Sequence, residues 1–170
     1  MTFNSLFSQK CRVEDDPFSD ERVVSFNYKN KTVFLESKNN EVRLDIEFYY
    51  WGEKSYVFEK GASLFLKLEN KKTLELLSSN EASSTLAQSG NIAFTPSGIQ
   101  NSDGRNYSIY MFSFTLNWEQ IKKLANSEIT HLRIPDIDKR YIDKKAKGRI
   151  KKKTVAIKKG AECMISHLQG

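Results

Sequence analysis

Alternating apolar and polar positions dominate the first two thirds of the chain. The clearest case is EVRLDIEFYYW at residues 41–51, where Val42, Leu44 and Ile46 fall on one side and charged residues on the other. A period of two is the signature of a half-buried antiparallel strand. The same kind of pattern, or a run rich in β-formers, predicts further strands at residues 22–28, 31–37, 55–61, 62–70, 71–79, 107–117 and 128–135.

Three segments break this pattern. Residues 1–20 end in the acidic turn EDDPFSD and are predicted to form a flexible N-terminal arm. Residues 78–91 contain five serines and no aromatic residue, which is typical of a loop or of a poorly patterned edge strand. The sequence SDGRN at 102–106 predicts a reversal of the chain.

Helical signals appear late in the chain. Asn117 with Gln120 three residues later forms the pattern of a capping box, which predicts a short helix that runs to Asn126. From about residue 138 to 169 the chain is predicted to be one long amphipathic helix. Its apolar stripe has spacings of four and three residues and comprises Ile150, Thr154, Ile157, Ala161, Met164 and Leu168.

These elements define an α+β fold class. Strands follow one another without intervening helices, which indicates a mainly antiparallel sheet curved into a sandwich or partial barrel. The short helix and the long C-terminal helix are expected to pack on it. The predicted organisation is an arm at 1–20 and a single β-rich domain at 21–170, which is long enough to bury a core without covalent cross-links.

The formal net charge of +6 is concentrated at the C-terminal end. Residues 138–170 hold eleven Lys or Arg and three acids, a net charge of +8, which leaves −2 for residues 1–137. A solvated helix face explains such a run, and the alternative is a surface that binds nucleic acid or lipid headgroups. The candidate anion-binding residues are Lys144, Lys145, Arg149, Lys151, Lys152, Lys153, Lys158 and Lys159.

Aromatic residues supply a second candidate site. In FYYW at 48–51, one pair of side chains is expected in the core and the other pair on the opposite face. If that second face is open, Tyr49, Trp51 and Tyr110 are the candidates for an aromatic groove that suits a sugar, a peptide or an apolar ligand. The alternative is that the C-terminal helix covers this face.

Catalytic and metal-binding patterns are absent from the sequence. It contains no phosphate-binding glycine motif, no HExxH and no GxSxG, and its two histidines, His131 and His167, lack partners at a typical spacing. No cofactor and no metal site are therefore predicted. A disulfide between Cys11 and Cys163 is left open, but two free thiols in a reducing compartment are expected.

The N-terminus lacks the basic region of a signal peptide, and no apolar run is long enough to span a bilayer. A cytoplasmic protein without transmembrane segments is therefore expected.

DPFS at 16–19, VV at 23–24, QIKKLANSEITHLRIP at 120–135 and the Lys-rich terminal helix together resemble small uncharacterised β-rich proteins of Bacteroidetes bacteria. The resemblance implies the same order of strands and helices, and it implies no activity.

A non-catalytic binding or interaction protein is the predicted function. Its partner would be a small ligand, another protein, or a second copy of the chain that docks through a sheet edge or the aromatic face. One alternative is an anionic-surface binder that uses the basic C-terminal segment. The other is an enzyme whose site is not visible in the sequence.

Overall fold

The computed structural model describes residues 10–95 and 98–168, and this part of the chain contains ten strands and two α-helices. The helices are α1 (Trp118–Asn126) and α2 (Gly148–Leu168), and a 3-10 turn spans Ile137–Lys139. The strands are β1 (Lys10–Asp15), β2 (Arg22–Tyr28), β3 (Val33–Lys38), β4 (Glu41–Trp51), β5 (Ser63–Leu68), β6 (Thr73–Leu77), β7 (Ser84–Thr95), β8 (Gly98–Leu116), β9 (Ile129–Pro135) and β10 (Tyr141–Lys145).

Two antiparallel sheets form the body of the protein. The six-stranded sheet has the order β1-β2-β3-β4-β8-β7, and the four-stranded sheet has the order β10-β9-β5-β6. All pairs of neighbouring strands are antiparallel. With a short helix and a C-terminal helix added, this architecture confirms the predicted α+β class.

The core lies between the inner faces of the two sheets and continues under α2. On β4 the inner side chains include Leu44, Ile46 and Phe48, which pair across the sheet with fully buried aromatic residues of β8. β5 contributes Leu64 and Leu66 from the opposite sheet. The alternation over 41–51 therefore predicted both the limits and the buried face of β4 correctly.

Helix α1 begins as the capping box predicted. The Asn117 side chain accepts a hydrogen bond from the Gln120 backbone N–H at 2.9 Å, and the Gln120 side chain accepts one from the Asn117 N–H at 2.9 Å. The buried Ile121 and Leu124 face the core. Helix α1 also packs on α2, and α2 in turn packs on β2 and β3 of the six-stranded sheet.

Helix α2 buries the predicted apolar stripe. Thr154, Ile157, Ala161 and Met164 are buried, while Ile150 and Leu168 are half-buried at the two ends. Gly160 lies in the same contact, because a Cβ at this position would stand 2.4 Å from Leu35 Cδ1. The helix thus approaches β2 and β3 closely at this point.

The predicted start of this helix at residue 138 is wrong. The 3-10 turn contains Asp138 at φ 58°, a left-handed conformation that cannot continue a helix. The chain then forms β10, which pairs with β9 from Tyr141↔Pro135 to Lys145↔His131. The helix therefore begins only at Gly148, whose φ is 54°.

The prediction of a flexible arm at 1–20 is wrong for residues 10–15, which form a strand. Residues 10–15 form β1, which pairs with β2 from Lys10↔Asn27 to Asp15↔Arg22. β1 lacks an alternating apolar pattern because its side chains from Cys11 to Asp15 are exposed. A strand that buries only backbone leaves little trace in the hydrophobic pattern. Residues 1–9 lie outside the described part of the chain.

Cys11 and Cys163 form a disulfide, which corrects the expectation of two free thiols. Cys11 lies opposite Phe26 in the β1–β2 register, and Cys163 lies on the side of α2 that packs on β2, so that their Cα atoms are 5.9 Å apart. The cysteines are 152 residues apart in sequence, which is why their spacing gave no hint. In the chain-entropy account, a loop of this length stabilises the fold by about 5 kcal/mol.

Three further segments differ from or refine the predictions. Residues 55–61 form no strand and make a single bridge, Phe58↔Ala82, because this stretch crosses from one sheet to the other. The segment 78–91 contains the start of β7, an edge strand, which is one of the two alternatives for it. The predicted reversal at 102–106 is wrong, because these residues lie inside β8 and the β7–β8 register continues to Thr95↔Gly98.

Candidate functional site

The eight candidate anion-binding residues do not share one surface. Lys144 and Lys145 are exposed on β10, and the other six lie on α2. On the helix, Lys151 is 3.6 Å from Glu128, and Lys158 is 3.7 Å from Glu162. Nearby acids therefore offset part of the positive charge of the segment. Arg149, Lys152 and Lys159 are exposed.

Lys153 is the clearest departure from a solvated lysine, because its residue surface is only 6% exposed. Its Nζ donates a hydrogen bond to the backbone oxygen of Glu47 on β4. Glu47 follows Ile46, which is the last residue of β4 that pairs with β3. The same Nζ lies 5.3 Å from the ring centroid of Phe48 and 4.8 Å from that of Tyr49. Burial lowers the pKa of Lys153 to about 8, and the charge of Glu47 partly opposes this shift. Lys153 therefore anchors α2 to β4.

The three candidate groove residues are not brought together. Tyr110 is fully buried on the inner face of the six-stranded sheet, whereas Tyr49 and Trp51 lie on the outer face. Tyr49 is 50% and Trp51 59% exposed, and the Trp51 ring stacks obliquely on Tyr107 with 4.8 Å between centroids. Helix α2 lies over the inner face, where Gly160 meets Leu35 and Phe26. Its Lys153 Nζ reaches the Tyr49 ring, but Tyr49 and Trp51 both stay at least half exposed, so α2 does not cover this pair as the alternative had predicted.

A different concave site lies where the two sheets meet. It is a cleft of about 500 Å³ between the segment 56–63, which leads into β5, and the segment 135–141, which joins β9 to β10. Three exposed apolar side chains line it: Val57 at 51%, Ile137 at 43% and Tyr141 at 46%. The lining carries charges of both signs, from Lys60 and Arg140 and from Glu59, Asp136 and Asp138. We call this region the inter-sheet cleft.

Buried tyrosine hydroxyls hold the walls of the inter-sheet cleft. Tyr50 donates to the backbone oxygen of Pro135 at 2.7 Å, which ties β4 to the end of β9. Tyr110 donates to the backbone oxygen of Tyr56 at 2.7 Å, and Tyr56 donates to Asp136 Oδ1 at 3.3 Å. Hydrogen bonds between buried groups of this kind fix the backbone on both sides of the opening.

The same environment keeps these hydroxyls protonated. Burial raises the pKa of Tyr56 well above its ordinary value, and the nearby Asp136 carboxylate raises it further. Burial likewise raises the pKa of Tyr50 and of Tyr110. The tyrosines therefore act as hydrogen-bond donors that hold the walls of the cleft.

A larger hollow of about 600 Å³ lies elsewhere, beside the start of α1, but its lining is mostly polar. Its groups bond to one another: Asn117 and Gln120 form the helix cap, and Thr115 Oγ1 donates to Glu41 at 3.1 Å. These side chains satisfy each other, which makes the inter-sheet cleft the stronger candidate.

Sequence reasoning missed the inter-sheet cleft because its walls come from segments far apart in the chain. The sequence predicts a strand at residues 55–61, in which Tyr56, Val57 and Phe58 form a continuous apolar run. The signals that could have identified the site are Pro135 and the Asp-rich turn after it, together with apolar residues outside any regular strand. Neither signal indicates that the two segments meet.

The histidines have ordinary environments. His131 Nδ1 lies 3.0 Å from Thr130 Oγ1 on the outer side of the four-stranded sheet, and His167 is exposed near the end of α2. Close to His131, Arg133 donates two hydrogen bonds to Asp143 at 2.7 and 2.9 Å, which lowers the pKa of that carboxyl group. Among the described residues, no group of three or more His, Cys, Asp or Glu is arranged to hold a metal ion.

Comparison of the chain with protein-family models, with curated proteins and with solved structures finds no match. The resemblance to proteins of Bacteroidetes bacteria therefore stays a prediction. Neither α1 nor α2 is both long and apolar enough to cross a membrane, and the same is true of every helix in residues 10–95 and 98–168.

Proposed function

We propose that this chain is a non-catalytic binding protein and that the inter-sheet cleft is its ligand site. The observation that carries the proposal is the convergence of Val57, Ile137 and Tyr141 on one concave surface. Elsewhere, single exposed apolar residues are ordinary on a protein surface, but three that line one cleft indicate a binding site. The expected ligand is a small molecule with a largely apolar body.

Rigid walls strengthen this assignment. A site whose backbone is already fixed loses little conformational freedom when it binds a ligand. In the inter-sheet cleft, the bonds from Tyr50 to Pro135 and from Tyr110 to Tyr56 supply that rigidity from the core. The mixed charges of the lining, Glu59, Lys60, Asp136, Asp138 and Arg140, would select the polar end of the ligand.

Titration with the neutral apolar dye Nile red tests this proposal. Val57→Glu and Tyr141→Glu place a charge on the apolar wall, and each is expected to weaken dye binding at least tenfold. The matched control is Leu86→Glu, which puts the same charge on an apolar residue that is similarly exposed, at 47%, and lies on β7 away from the cleft. Equal binding by all four proteins would show that the dye does not use the cleft and would reject the assignment.

The other two functions stay predictions. Five of the cations predicted for anionic-surface binding are exposed: Lys144, Lys145, Arg149, Lys152 and Lys159. The buried Lys153 cannot take part in such binding without leaving its site. An enzyme would need a reactive group in a site, and the shallow hollow at His131 contains an Asp143 carboxylate that is already bonded to Arg133.

The Cys11–Cys163 disulfide bears on the cellular compartment in which the protein resides. The predicted cytoplasmic location was based on the lack of a signal peptide and agreed with two free thiols, whereas disulfides form and persist mainly in oxidising compartments. We therefore favour an oxidising compartment over the cytoplasm. The oxidation state of Cys11 in protein isolated with blocked thiols would test this choice.

A further inference from the structure

Strand β1 contributes backbone pairing to the six-stranded sheet and almost no buried surface. The described side chains from Cys11 to Asp15 are exposed, and even Val13 is 39% exposed. Its neighbour β2, by contrast, buries Val24, Phe26 and Tyr28 in the core. β1 is therefore an addition to a sheet whose packed part begins at β2.

The disulfide is the strongest attachment of β1 to the rest of the protein. Cys11 joins the strand to Cys163, which is 7% exposed on α2. An ion pair between Arg22 and Asp15 at 3.3 Å adds little, because both side chains are mostly exposed. Once the covalent bond is broken, β1 is held mainly by its backbone pairing with β2, because its described side chains from Cys11 to Asp15 are exposed.

Strand β2 does not depend on β1 in this way. It pairs with β3 from Val24↔Ser37 to Tyr28↔Val33, and α2 packs on it, with Gly160 close to the Phe26 ring. If β1 leaves, β2 therefore stays in place and presents a row of unpaired N–H and C=O groups. Such an edge is a template for pairing with another extended segment.

We propose that the edge of β2 is an interaction surface that the Cys11–Cys163 disulfide keeps closed, and that its partner is β1 of a second copy of this chain. A dithiol reductant opens it: the S–S bond breaks, each sulfur receives one electron and one proton, and the dithiol becomes a disulfide. β1 of one molecule can then pair with β2 of another in the register seen here, from Lys10↔Asn27 to Asp15↔Arg22.

The connection between β1 and β2 can act as the hinge of this exchange. It is a short turn closed by hydrogen bonds from Asp16 N–H to the Glu21 oxygen at 2.8 Å and from Ser19 N–H to the Asp16 oxygen at 3.4 Å. Asp20 in this turn has φ 51°, and Pro17 restricts its neighbour. A tight hinge that opens into an extended chain is the usual route to strand exchange between identical molecules.

Two single-cysteine variants test the proposal directly. Cys11→Ser retains Cys163 and Cys163→Ser retains Cys11, so neither can close the internal bond. When they are mixed and oxidised with diamide, β1 exchange brings Cys11 of one chain to Cys163 of the other. We expect this mixed dimer to exceed either homodimer at least tenfold on a non-reducing gel, with the Cys11–Cys163 link verified by peptide mass. A mixed dimer without that excess would overturn the proposal.

A strand-breaking control separates pairing from random collision. Arg12→Pro and Val13→Pro together, placed in the Cys163→Ser chain, remove an N–H on each side of β1, so that one pairing bond is lost whichever side faces β2. The mixed cross-link is expected to disappear. If it persists at the same level, β1 pairing is not what brings the cysteines together.

The wild-type protein gives the second measurement. Light scattering is expected to show a monomer in the oxidised form and a concentration-dependent dimer with dithiothreitol. Hydrogen exchange should show faster exchange for β2 amides in dilute reduced protein, while β4 and β8 stay protected. A reduced protein that remains monomeric with β2 protected would overturn the proposal, and so would one that unfolds as a whole.

Discussion

The two sides of α2 carry the same residue type in opposite environments. On the outward side, Lys152 and Lys159 are exposed to solvent. On the inward side, Lys153 is buried, and its Nζ donates to the Glu47 oxygen beside the Phe48 and Tyr49 rings, although it is the immediate neighbour of Lys152. A run of cations is therefore not one surface, because successive helix positions differ by about 100° in direction.

The strongest test of this comparison is charge reversal at the two neighbours. In Lys153→Glu a carboxylate replaces the buried donor and faces both the Glu47 oxygen and the Glu47 side chain, so we expect a loss of about 3–5 kcal/mol in the free energy of unfolding. Lys152→Glu should change it by less than about 0.5 kcal/mol. Urea denaturation of the two variants measures the difference, and equal losses would contradict the buried anchor.

Because Lys152→Glu is expected to leave the fold intact, the same variant also addresses the anionic-surface alternative. The measurement is binding of the wild-type protein to a random DNA duplex or to anionic vesicles at several salt concentrations. Binding that weakens steeply with salt, and that the double variant Lys152→Glu with Lys159→Glu loses, would support that alternative over the inter-sheet cleft.

A second test adds a single carbon atom to the inward side of α2. In Gly160→Ala the new Cβ would stand 2.4 Å from Leu35 Cδ1 and 3.0 Å from Phe26 Cδ1. Overpacking of this kind costs about 1–3 kcal/mol, and the better helix propensity of Ala returns about 1 kcal/mol. We expect a net loss of up to about 2 kcal/mol in thermal or urea unfolding. The control is Lys159→Ala on the exposed side, and a stabilised Gly160→Ala would show that the helix lies further from the sheet.

The smallest expected effect is a pH dependence. Because the pKa of Lys153 is about 8 in the folded protein and near 10.5 when unfolded, the unfolded chain binds more protons between these values. The free energy of unfolding should therefore rise with pH above about 8, by about 1 kcal/mol between about pH 7 and pH 9. Lys153→Met, which lacks the titrating group, serves as the reference in parallel urea titrations. A wild-type curve parallel to that of Lys153→Met would contradict the lowered pKa.

The fold was predictable where residues close to one another in the sequence decide the local structure. The period-two pattern located β4 to the residue, and Asn117 with Gln120 located the start of α1, because caps and alternation are local interactions. β1 and β10 could not be located in this way. Both are largely exposed edge strands, and their structure depends on the backbone of a neighbour that the pattern does not reveal.

The candidate site was harder to predict for a related reason. The inter-sheet cleft requires Tyr56 and Asp136, which are 80 residues apart, to meet at the junction of two sheets. The aromatic groove prediction divided β4 into two faces correctly, but it placed Tyr110 on the same face as Tyr49 and Trp51. The register Phe48↔Tyr110 puts it on the inner face, and a single sequence does not contain that register.

The pairing of β4 with β8 also has a consequence for the time course of folding. These two central strands join from Val42↔Leu116 to Trp51↔Tyr107, and the chain forms β5, β6 and β7 between them. The entropy of closing so long a loop must be lost before the pair gains any contact, which places folding in the millisecond to second range. Until β8 arrives, β1, β2, β3 and β4 can form only a four-stranded meander with an open edge at β4, and Phe48 and Tyr50 lack their cross-strand partners on β8. Newly made or refolding chains therefore pass through a period in which this edge is their main route to aggregation.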